Sequence, residues 1–240
     1  MTMSHANPPT AVVTGASKGF GRAVAKQLWD RGWRLVLDAR TEADVRRLAT
    51  DLPGAVTLAG DVTDPLHREA LATAVSAPGG IDLLLNNASD LGPSPLPALR
   101  DYPLEALRAV YETNVIAPLA LTQLLLALVV AANGAIVNVS SDAAVEAYAG
   151  WGGYGPSKAA LDHLGAVLAA EEPGVRVYAF DPGDMRTDMH QRAFPGEDIS
   201  DRPAPATVVP ALLRLIDERP ASGRYRASEM LTDLIDEAAR

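Results

Sequence analysis

The 240-residue chain contains no cysteine. This absence excludes a disulfide framework, a thiolate zinc site and a cysteine nucleophile, and it suits a reducing compartment. Basic residues are also few, with 21 Lys and Arg against 30 Asp and Glu, which gives a formal net charge of −9. That balance argues against a nucleic-acid-binding surface or an anchor to an anionic membrane, but a local basic pocket for a small phosphate remains compatible with it.

Long uninterrupted apolar runs are missing as well. The longest apolar stretch, residues 115–132, contains Pro118, Thr122 and Gln123, so we expect a buried helix rather than a membrane span. The polar start of the chain lacks the basic region and apolar core of a signal peptide, so we expect residues 1–9 to form a flexible tail of a cytoplasmic protein. The histidines form no HxxxH or HExxH pair, and we therefore expect no metal site.

Short aliphatic runs alternate with longer amphipathic stretches along most of the chain, and no composition break divides it. Seven runs are predicted to be strands: Ala11–Val13, Arg34–Leu37, Ala55–Leu58, Leu83–Leu85, Ala135–Val139, Val175–Phe180 and, more weakly, Gly223–Ala227. Several are continuously apolar, as in strands covered on both faces. Strand–helix alternation of this kind predicts parallel pairing and a three-layer α/β sandwich, here as one domain over residues 10–240.

One region departs from this alternation. Residues 181–205 are rich in proline and charged residues and follow a predicted strand. Such a segment is a lid, a binding loop or a disordered insertion. Because open α/β sheets bind ligands at the carboxyl ends of their strands, we favour a substrate-binding lid over about residues 184–205.

A glycine-rich turn, TGASKGFG at residues 14–21, leads from the first strand into a helix. Its glycines, Gly15, Gly19 and Gly21, allow a tight turn and a close approach of the backbone to a ligand. The helix that follows presents free N–H groups and a positive dipole end, which bind anions. An ordinary strand-to-helix turn also favours glycine, but the position after the first strand favours a phosphate site.

Tyr154 and Lys158 lie four residues apart at the start of a long helical pattern. An i,i+4 pair shares one helix face, so the ammonium can lie near the phenol. A free phenol has a pKa near 10, which is too high for proton exchange at neutral pH, and a nearby cation lowers it. The pair is therefore suited to exchanging a proton with an alcohol or a carbonyl, although an unrelated surface Tyr and Lys would give the same spacing.

Two polar residues precede this pair. Ser141 follows the strand 135–139, where its hydroxyl can hydrogen-bond a substrate oxygen, although a serine there can also cap a turn. A hydrolase triad is disfavoured because no G-x-S-x-G motif surrounds it. Asn114 precedes the apolar helix, and Pro118 has no N–H to donate to the Asn114 carbonyl, which is left free for water or a cation.

The motif TGASKGFG resembles the TGxxxGxG motif of the short-chain dehydrogenase/reductase family, and further motifs follow in the family's order. Asp61-Val62 resembles the pair beside the adenine ring, and Asn86-Asn87-Ala88 resembles the NNAG motif, with Ser89 in place of the glycine. The catalytic tetrad of the family is matched by Asn114, Ser141, Tyr154 and Lys158, and its nicotinamide turn by Pro182, Gly183 and Thr187. The resemblance implies a doubly wound, Rossmann-like fold with seven mostly parallel strands and a dinucleotide cofactor.

The resemblance also assigns the cofactor contacts. They are Gly15, Ser17, Lys18, Gly19, Phe20, Gly21, Arg40, Asp61, Val62, Asn87, Ala88, Tyr154, Lys158, Pro182, Gly183 and Thr187. In the family, a basic residue before the second motif glycine and an arginine after the second strand mark a preference for NADP, which Lys18 and Arg40 satisfy. NAD remains an alternative because the Asp38 carboxylate could bond ribose hydroxyls, although Ala39 stands where the family's NAD-selecting acid falls.

The activity implied by the resemblance is hydride transfer between NADP(H) and a carbonyl or secondary alcohol. Tyr154 would exchange the proton, Ser141 would hold the oxygen, and Lys158 would lower the phenol pKa and bind the nicotinamide ribose. Substrate contacts are expected from a mostly apolar set, which suits a lipophilic ketone or aldehyde unless these side chains only pack the loops. The set comprises Val145, Tyr148, Trp151, Met185 and Met189.

Assembly and two further activities stay open. In the family, the helices matching residues 115–132 and 156–170 pair between subunits, which implies a homodimer or homotetramer, although burial within one chain would also explain their apolar character. A non-catalytic NADP-binding sensor or scaffold is one alternative function. An epimerase or dehydratase on the same fold is the other, and net oxidation of the cofactor separates it from a reductase.

Overall fold

The computed structural model describes residues 8–75 and 79–238 of the chain, and within it the side chains up to residue 232. Most of the expected N-terminal tail therefore lies outside the described residues. Its last residue does not behave as a tail, because the Pro9 carbonyl accepts a hydrogen bond from the Arg34 N–H at 2.8 Å.

Seven strands form one parallel sheet in the described chain, as the sequence predicts. They are β1 (Thr10–Val13), β2 (Arg34–Ala39), β3 (Val56–Ala59), β4 (Leu83–Asn86), β5 (Ala135–Val139), β6 (Arg176–Asp181) and β7 (Gly223–Arg226). Their order is β3-β2-β1-β4-β5-β6-β7, and every neighbouring pair is parallel. The strand order reverses between β1 and β4, which is where sheets of this type open a ligand crevice.

Helices cover both faces of this sheet. They are α1 (Gly19–Asp30), α2 (Glu42–Asp51), α3 (Pro65–Ala74), α4 (Leu104–Tyr111), α5 (Ala117–Ala131), α6 (Tyr154–Glu171), α7 (Asp188–Ala193), α8 (Pro205–Glu218) and α9 (Ala227–Ala238). Short polar side chains begin several of them: the Thr41 hydroxyl accepts the Asp44 N–H, and the Asp64 carboxylate accepts the Leu66 N–H. Such caps satisfy backbone donors that the first helical turn leaves free.

Adjacent residues of the central strand β1 pack into separate hydrophobic cores on opposite faces of the sheet. Val13 packs with α1 and α8 on one side of the sheet, whereas Val12 packs with α3 and α5 on the other. Both side chains are fully buried. This explains the continuously apolar strands in the sequence, because side chains alternate between two covered faces, and it confirms the predicted three-layer doubly wound architecture.

The helix after residue 104 departs from the prediction. Asn114 does not precede a helix: α4, a π-helical turn at Glu112–Ile116 and α5 run on without a break, and Asn114 lies inside the π turn. Pro118 cannot donate an N–H to the Asn114 carbonyl, so the α-helical ladder is interrupted there and the wider turn accommodates the gap. The sequence correctly predicts that Pro118 leaves the Asn114 carbonyl without an N–H donor. The predicted helix start at residue 115 was wrong, because the continuous helix begins at Leu104.

The continuous helix formed by α4, the π-helical turn and α5, Leu104–Ala131, is strongly apolar. Within the described residues it meets the length and composition of a membrane span, with a mean hydropathy of 2.1 over its most apolar window. In the structure it packs against α3, β4 and β5, and 44% of that window is buried inside the fold. It therefore occupies the place of a core helix in the α/β sandwich.

The segment after β6 is more regular than expected. Residues 188–193 form α7, which begins where the Thr187 hydroxyl accepts the His190 N–H at 3.2 Å. The two ends of the segment are joined by a hydrogen bond from the Arg186 N–H to the Pro203 carbonyl at 2.9 Å. The segment expected to be an irregular lid is thus helical over residues 188–193 and is closed at its ends by a backbone hydrogen bond.

The edge strand β7 contributes a charged clamp beneath this edge. The Arg224 guanidinium donates to the Ser141 carbonyl at 2.7 Å, to the Asp181 carboxylate at 2.9 Å and to the Asp162 carboxylate at 3.3 Å. Asp181 and Asp162 are 6% and 16% exposed at their side chains, so neither charge is well solvated without the arginine. One side chain of β7 thereby fixes the ends of β5 and β6 against α6.

Replacing this arginine by an apolar side chain of similar length tests the clamp. Arg224→Met would remove the guanidinium shared by two poorly solvated carboxylates, and we expect it to lower the free energy of unfolding by about 3 kcal/mol in urea titrations. Arg226→Met is the matched control on the same strand, because Arg226 is 41% exposed and pairs with Glu146 at 3.6 Å. We expect the control to cost less than about 1 kcal/mol; equal losses would contradict the clamp.

Candidate active site

The glycine turn between β1 and α1 is built so that only glycine fits at two of its positions. Gly15 has a φ of +66°, in the left-handed region that other residues avoid. At Gly21 an added Cβ would collide with the Asn87 amide and the Gly15 carbonyl. Asn87 closes the turn from the end of β4, donating from Nδ2 to the Thr14 carbonyl at 2.8 Å. The turn and the β4 end thus form one cradle at the strand-order reversal.

A cavity of about 900 Å³ opens above this cradle. Eleven of the predicted cofactor residues share its lining: Gly15, Ser17, Lys18, Gly19, Phe20, Arg40, Asp61, Val62, Asn87, Ala88 and Thr187. Gly21, Pro182 and Gly183 lie outside the lining; Gly183 instead donates its N–H to the Asp181 carboxylate at 3.0 Å. A narrow glycine cradle with cations beside it fits the phosphates of a dinucleotide.

Asp38 lines one end of the cavity but is not free to bond a ribose. Its side chain is 3% exposed, one oxygen accepts the Gly15 N–H at 2.5 Å, and the other lies 3.3 Å from His67 Nε2. Asp38 therefore braces the glycine turn. This role could not be predicted from the sequence, because His67 comes from α3, 29 residues further on.

The predicted adenine end is formed by the loop after β3. Asp61 lines the cavity, and its carboxylate accepts both the N–H and the hydroxyl of Thr63, at 2.9 and 2.8 Å. Burial acts to raise the pKa of Asp61, but the hydrogen bonds from Thr63 and the charge of Arg40 outweigh it and hold the pKa below its usual range. Asp61 is thus ionised and held in place beside Val62.

Tyr154 and Lys158 occupy the first turns of α6 on the same helix face. The Lys158 ammonium lies 5.5 Å from the centroid of the Tyr154 ring and donates to the Val139 carbonyl at 2.7 Å. The lysine is only 1% exposed. Burial lowers the pKa of Lys158 to about 8, and the carboxylate of Asp162, one turn further along α6, acts in the opposite direction. The hydrogen bond to the Val139 carbonyl at the end of β5 thus holds the Lys158 ammonium beside the Tyr154 ring.

The pKa of the Tyr154 phenol is raised, whereas the sequence predicts that Lys158 lowers it. Burial raises the pKa of Tyr154, a hydrogen bond from Ser89 counteracts this, and the carboxylates of Asp181, Asp142 and Asp162 raise it further. The expected lowering by the lysine was wrong for this arrangement, because the ammonium is directed at the Val139 carbonyl and the ring is 8% exposed. The phenol is accordingly protonated at neutral pH.

The remaining predicted catalytic residues are engaged with their surroundings. The Ser141 hydroxyl donates to the Asp142 carboxylate at 2.9 Å and accepts the Ala143 N–H at 3.2 Å, so it caps the short helix at Asp142–Ala144. The Asn114 side chain is fully buried and donates to the Asp90 carbonyl and to Ser157 Oγ, at 2.8 and 2.9 Å. Asn114 therefore joins the β4 loop to α6.

An aromatic and apolar cluster covers the tyrosine. The Trp151 ring meets Tyr154 edge-on, with ring centroids 5.7 Å apart, and lies 6.0 Å from the Phe194 ring at the end of α7. Met189 of α7 packs beside them. Tyr154 and Lys158 are both buried and lie outside the cavity lining, whereas Met189 belongs to both the cluster and the lining. Phe194 was missed by sequence reasoning, although an aromatic residue in a predicted lid was a signal for it.

The other predicted substrate residues differ in whether they line the cavity. Met185 lines the cavity and packs against the main core. Tyr148 lies near Trp151 at 6.4 Å, but it is 43% exposed and its hydroxyl donates to Glu146 and Asp142. Val145 is 57% exposed and lies outside the cavity lining, so the structure does not bring it into the site.

Comparison with known proteins places these observations in a family. The family model for short chain dehydrogenases matches residues 9–198. Sepiapterin reductase of Mus musculus is 37% identical over 199 residues, covering 76% of each chain, and L-xylulose reductase of Bos taurus is 36% identical over 188 residues, covering 77% of this chain and 75% of the relative.

Solved structures agree with this relationship. A structure described as a short chain dehydrogenase of Shigella flexneri complexed with NADP has a TM-score of 0.86 and 31% identity, and it covers 92% of this chain and 98% of its own. The predicted family and fold are therefore confirmed. The chain belongs to the short-chain dehydrogenase/reductase family of NAD(P)-dependent oxidoreductases.

Proposed function

We propose that the chain, as a single domain over residues 10–240, is an NADP(H)-dependent reductase of a small carbonyl compound. The observation that supports this most strongly is the pairing of Tyr154 with Lys158 next to Met189, a residue that also lines the cavity in which Lys18 and Arg40 lie. The first pair suits proton exchange with a substrate oxygen, and the second suits a phosphate.

The choice of NADP over NAD rests on charge. Lys18 and Arg40 line the cavity near the end of β2, while the carboxylate that could bind NAD's ribose, Asp38, is committed to Gly15 and His67. Lys18 has a competing partner in Asp188 at 2.9 Å, but both side chains are more than half exposed, so this ion pair is weak and a phosphate can replace it. The Shigella flexneri relative described as complexed with NADP supports the same choice.

The residues of this chain would divide the chemistry as follows. When bound, NADPH supplies the hydride equivalent that reduces the carbonyl carbon. Tyr154 donates its phenolic proton to the carbonyl oxygen, and its raised pKa favours this direction because the proton is present at neutral pH. Lys158 holds a positive charge beneath the phenolate that results. Ser141 stabilises the same oxygen once its hydroxyl turns from Asp142 toward the substrate.

The lid supports a substrate with an apolar body. Trp151, Phe194 and Met189 together cover the phenol, so a carbonyl compound must displace or pack against them to reach it. Relatives include proteins named sepiapterin reductase, L-xylulose reductase and D-erythrulose reductase, whose names refer to different substrates. We propose a lipophilic ketone or aldehyde for this chain because its lid is aromatic.

We also propose an oligomeric state and a cellular compartment for the protein. Large apolar side chains are 42–46% exposed on α5, on α6 and on the π-helical turn that precedes α5: Ile116, Leu124, Val130 and Val167. Exposed apolar residues grouped in this way favour an interface, and we propose a homodimer or homotetramer built on these helices. The net charge of −9 and the absence of cysteine support a cytoplasmic protein with no nucleic-acid or membrane partner.

The activity is tested by NADPH oxidation across a panel of ketones, aldehydes and sugars. We expect turnover with at least one lipophilic carbonyl, and a loss of about 100-fold or more in kcat for Tyr154→Phe because the proton donor is gone. Tyr111→Phe, a phenol change on α4, is the control and should keep full activity. Tight NADPH binding without turnover across the panel would favour the sensor alternative, and near-normal turnover by Tyr154→Phe would contradict the assigned proton donor.

The cofactor choice is tested by charge reversal at the end of β2. Arg40→Asp should weaken NADPH binding by about 10- to 100-fold, as expected for loss of a charge-assisted contact, and leave NADH binding within about threefold. Dissociation constants follow from nucleotide fluorescence titrations. Arg100→Asp is the control, because Arg100 is highly exposed and pairs only with its neighbour Asp101 among the ion pairs described. Equal losses for both nucleotides would contradict the assignment.

The interface is tested by placing a charge on it. Leu124→Asp or Val167→Asp should shift the sedimentation coefficient toward that of a monomer, since a carboxylate opposite an apolar surface is poorly solvated. Leu66→Asp on α3, where the leucine is 72% exposed, is the control and should leave assembly unchanged. A wild-type chain that sediments as a monomer would overturn the proposed interface.

A further inference from the structure

The edge strand β7 carries an arginine whose guanidinium is directed into the fold. Charged side chains on an edge strand ordinarily face solvent and discourage pairing with another sheet. Arg224 differs, because its side chain is only 22% exposed and donates to acceptors on three separate segments. Its Nη2 donates to the Ser141 carbonyl and to Asp181, and its Nε donates to Asp162. The first two acceptors lie in or beside segments predicted to bind the substrate oxygen and the nicotinamide.

We propose that Arg224 is a positioning residue for carbonyl reduction, which holds the Ser141 segment and the predicted nicotinamide turn in place relative to α6. The inference rests on the proposed function for its effect on turnover, but the contacts themselves do not. It goes beyond the contribution of Arg224 to stability, because it assigns the arginine an effect on where the reacting groups lie.

At Ser141 the arginine fixes the backbone that carries the predicted oxygen-binding hydroxyl. The Ser141 carbonyl accepts the guanidinium at 2.7 Å and the Ala144 N–H at 3.0 Å. The hydroxyl of the same residue donates to Asp142 and accepts the Ala143 N–H. It has to leave these partners to meet a substrate oxygen, and the fixed backbone then determines which positions the hydroxyl can reach.

The same guanidinium reaches the turn after β6 through Asp181. One oxygen of this carboxylate accepts Arg224 Nη2 at 2.9 Å, and the other accepts the Gly183 N–H at 3.0 Å. The Asp181 side chain is 6% exposed, so water has little access to replace either donor. The position of a β7 side chain is thereby transmitted to the residues predicted to face the nicotinamide.

A third contact ties the arrangement to the helix that carries the proton-exchange pair. Asp162 lies one turn after Lys158 on α6, and its Oδ2 accepts Arg224 Nε at 3.3 Å and the Ser140 hydroxyl at 2.7 Å. The planar guanidinium presents its donors in a fixed geometry, unlike the ammonium of a lysine. One rigid group therefore sets the relative positions of the serine, the nicotinamide turn and the helix of Tyr154.

The placement is tested first without turnover or nucleotide, by amide hydrogen exchange in NMR spectra. Arg224→Lys keeps a cation between the two carboxylates, so the chain should fold, but its ammonium does not reproduce the planar fork. Exchange at the Gly183 N–H should rise by about fivefold, as expected for one weakened hydrogen bond, while the amides of β1 stay within about twofold. Arg226→Lys is the matched control, because Arg226 lies on the same strand but pairs with Glu146. Unchanged exchange at Gly183, or an equal rise in β1, would overturn the placement.

The effect on turnover is tested by kcat and by a double-mutant cycle. With a carbonyl compound that the wild-type chain reduces, Arg224→Lys should lower kcat by about 10- to 100-fold, as small displacements of reacting groups do, and keep the NADPH dissociation constant within about threefold. In a Ser141→Ala background the same substitution should cost about fivefold less, because the hydroxyl that the arginine positions is already absent. Arg226→Lys should keep full kcat.

The outcomes separate this role from the proposed function. A normal kcat for Arg224→Lys, or equal losses in the two backgrounds, would overturn the positioning role and leave the reductase assignment intact. Parallel losses of kcat and of NADPH affinity would make Arg224 a structural residue and likewise overturn the role. A wild-type chain that reduces no carbonyl would contradict the proposed function and the effect on turnover together, while exchange at Gly183 still tests the placement by itself.

Discussion

The hydrogen bond from the buried Lys158 ammonium to the Val139 carbonyl is the contact on which the site depends. It fixes the first turns of α6 against the end of β5 and so determines where the Tyr154 phenol lies. A buried cation is costly, and its pKa falls to about 8 in response. The chain offsets that cost with Asp162, which Ser140 and Arg224 hold in place.

The cofactor cradle and the proton-exchange pair come from separate parts of the chain but meet at one edge of the sheet. Parallel strands bring all their carboxyl ends to the same side, so the turn after β1 and the loop after β4 line one cavity. Met189 of α7 lines this cavity and packs with Tyr154 at the start of α6. Asn87 and Asn114 fix the middle of this arrangement, the first against the glycine turn and the second against α6. Hydrogen bonds from these two asparagine side chains thus link the glycine turn and α6 to the loop after β4 and the helix that carries Asn114.

The sequence predicted the sheet well because its strands and turns are marked by local patterns. Continuous apolar runs at Ala11–Val13 and Leu83–Leu85 mark β1 and β4, and glycine spacing marks the turn at residues 14–21. It failed where a property depends on residues distant in the chain: Asp38 is engaged by Gly15 and His67, and the Tyr154 pKa is set by burial and three carboxylates. The assignments of individual site residues stay predictions until variants are measured.

A crystal structure of the chain with NADPH tests the central claim most directly. The account predicts the 2′-phosphate beside Lys18 and Arg40, the nicotinamide ribose facing Lys158 and Tyr154, and Asp38 still bonded to the Gly15 N–H. The distances to measure are those from the Lys158 ammonium to the Val139 carbonyl and to the ribose hydroxyls. A nucleotide bound in the opposite orientation, or a Lys158 side chain turned out to solvent, would contradict the account.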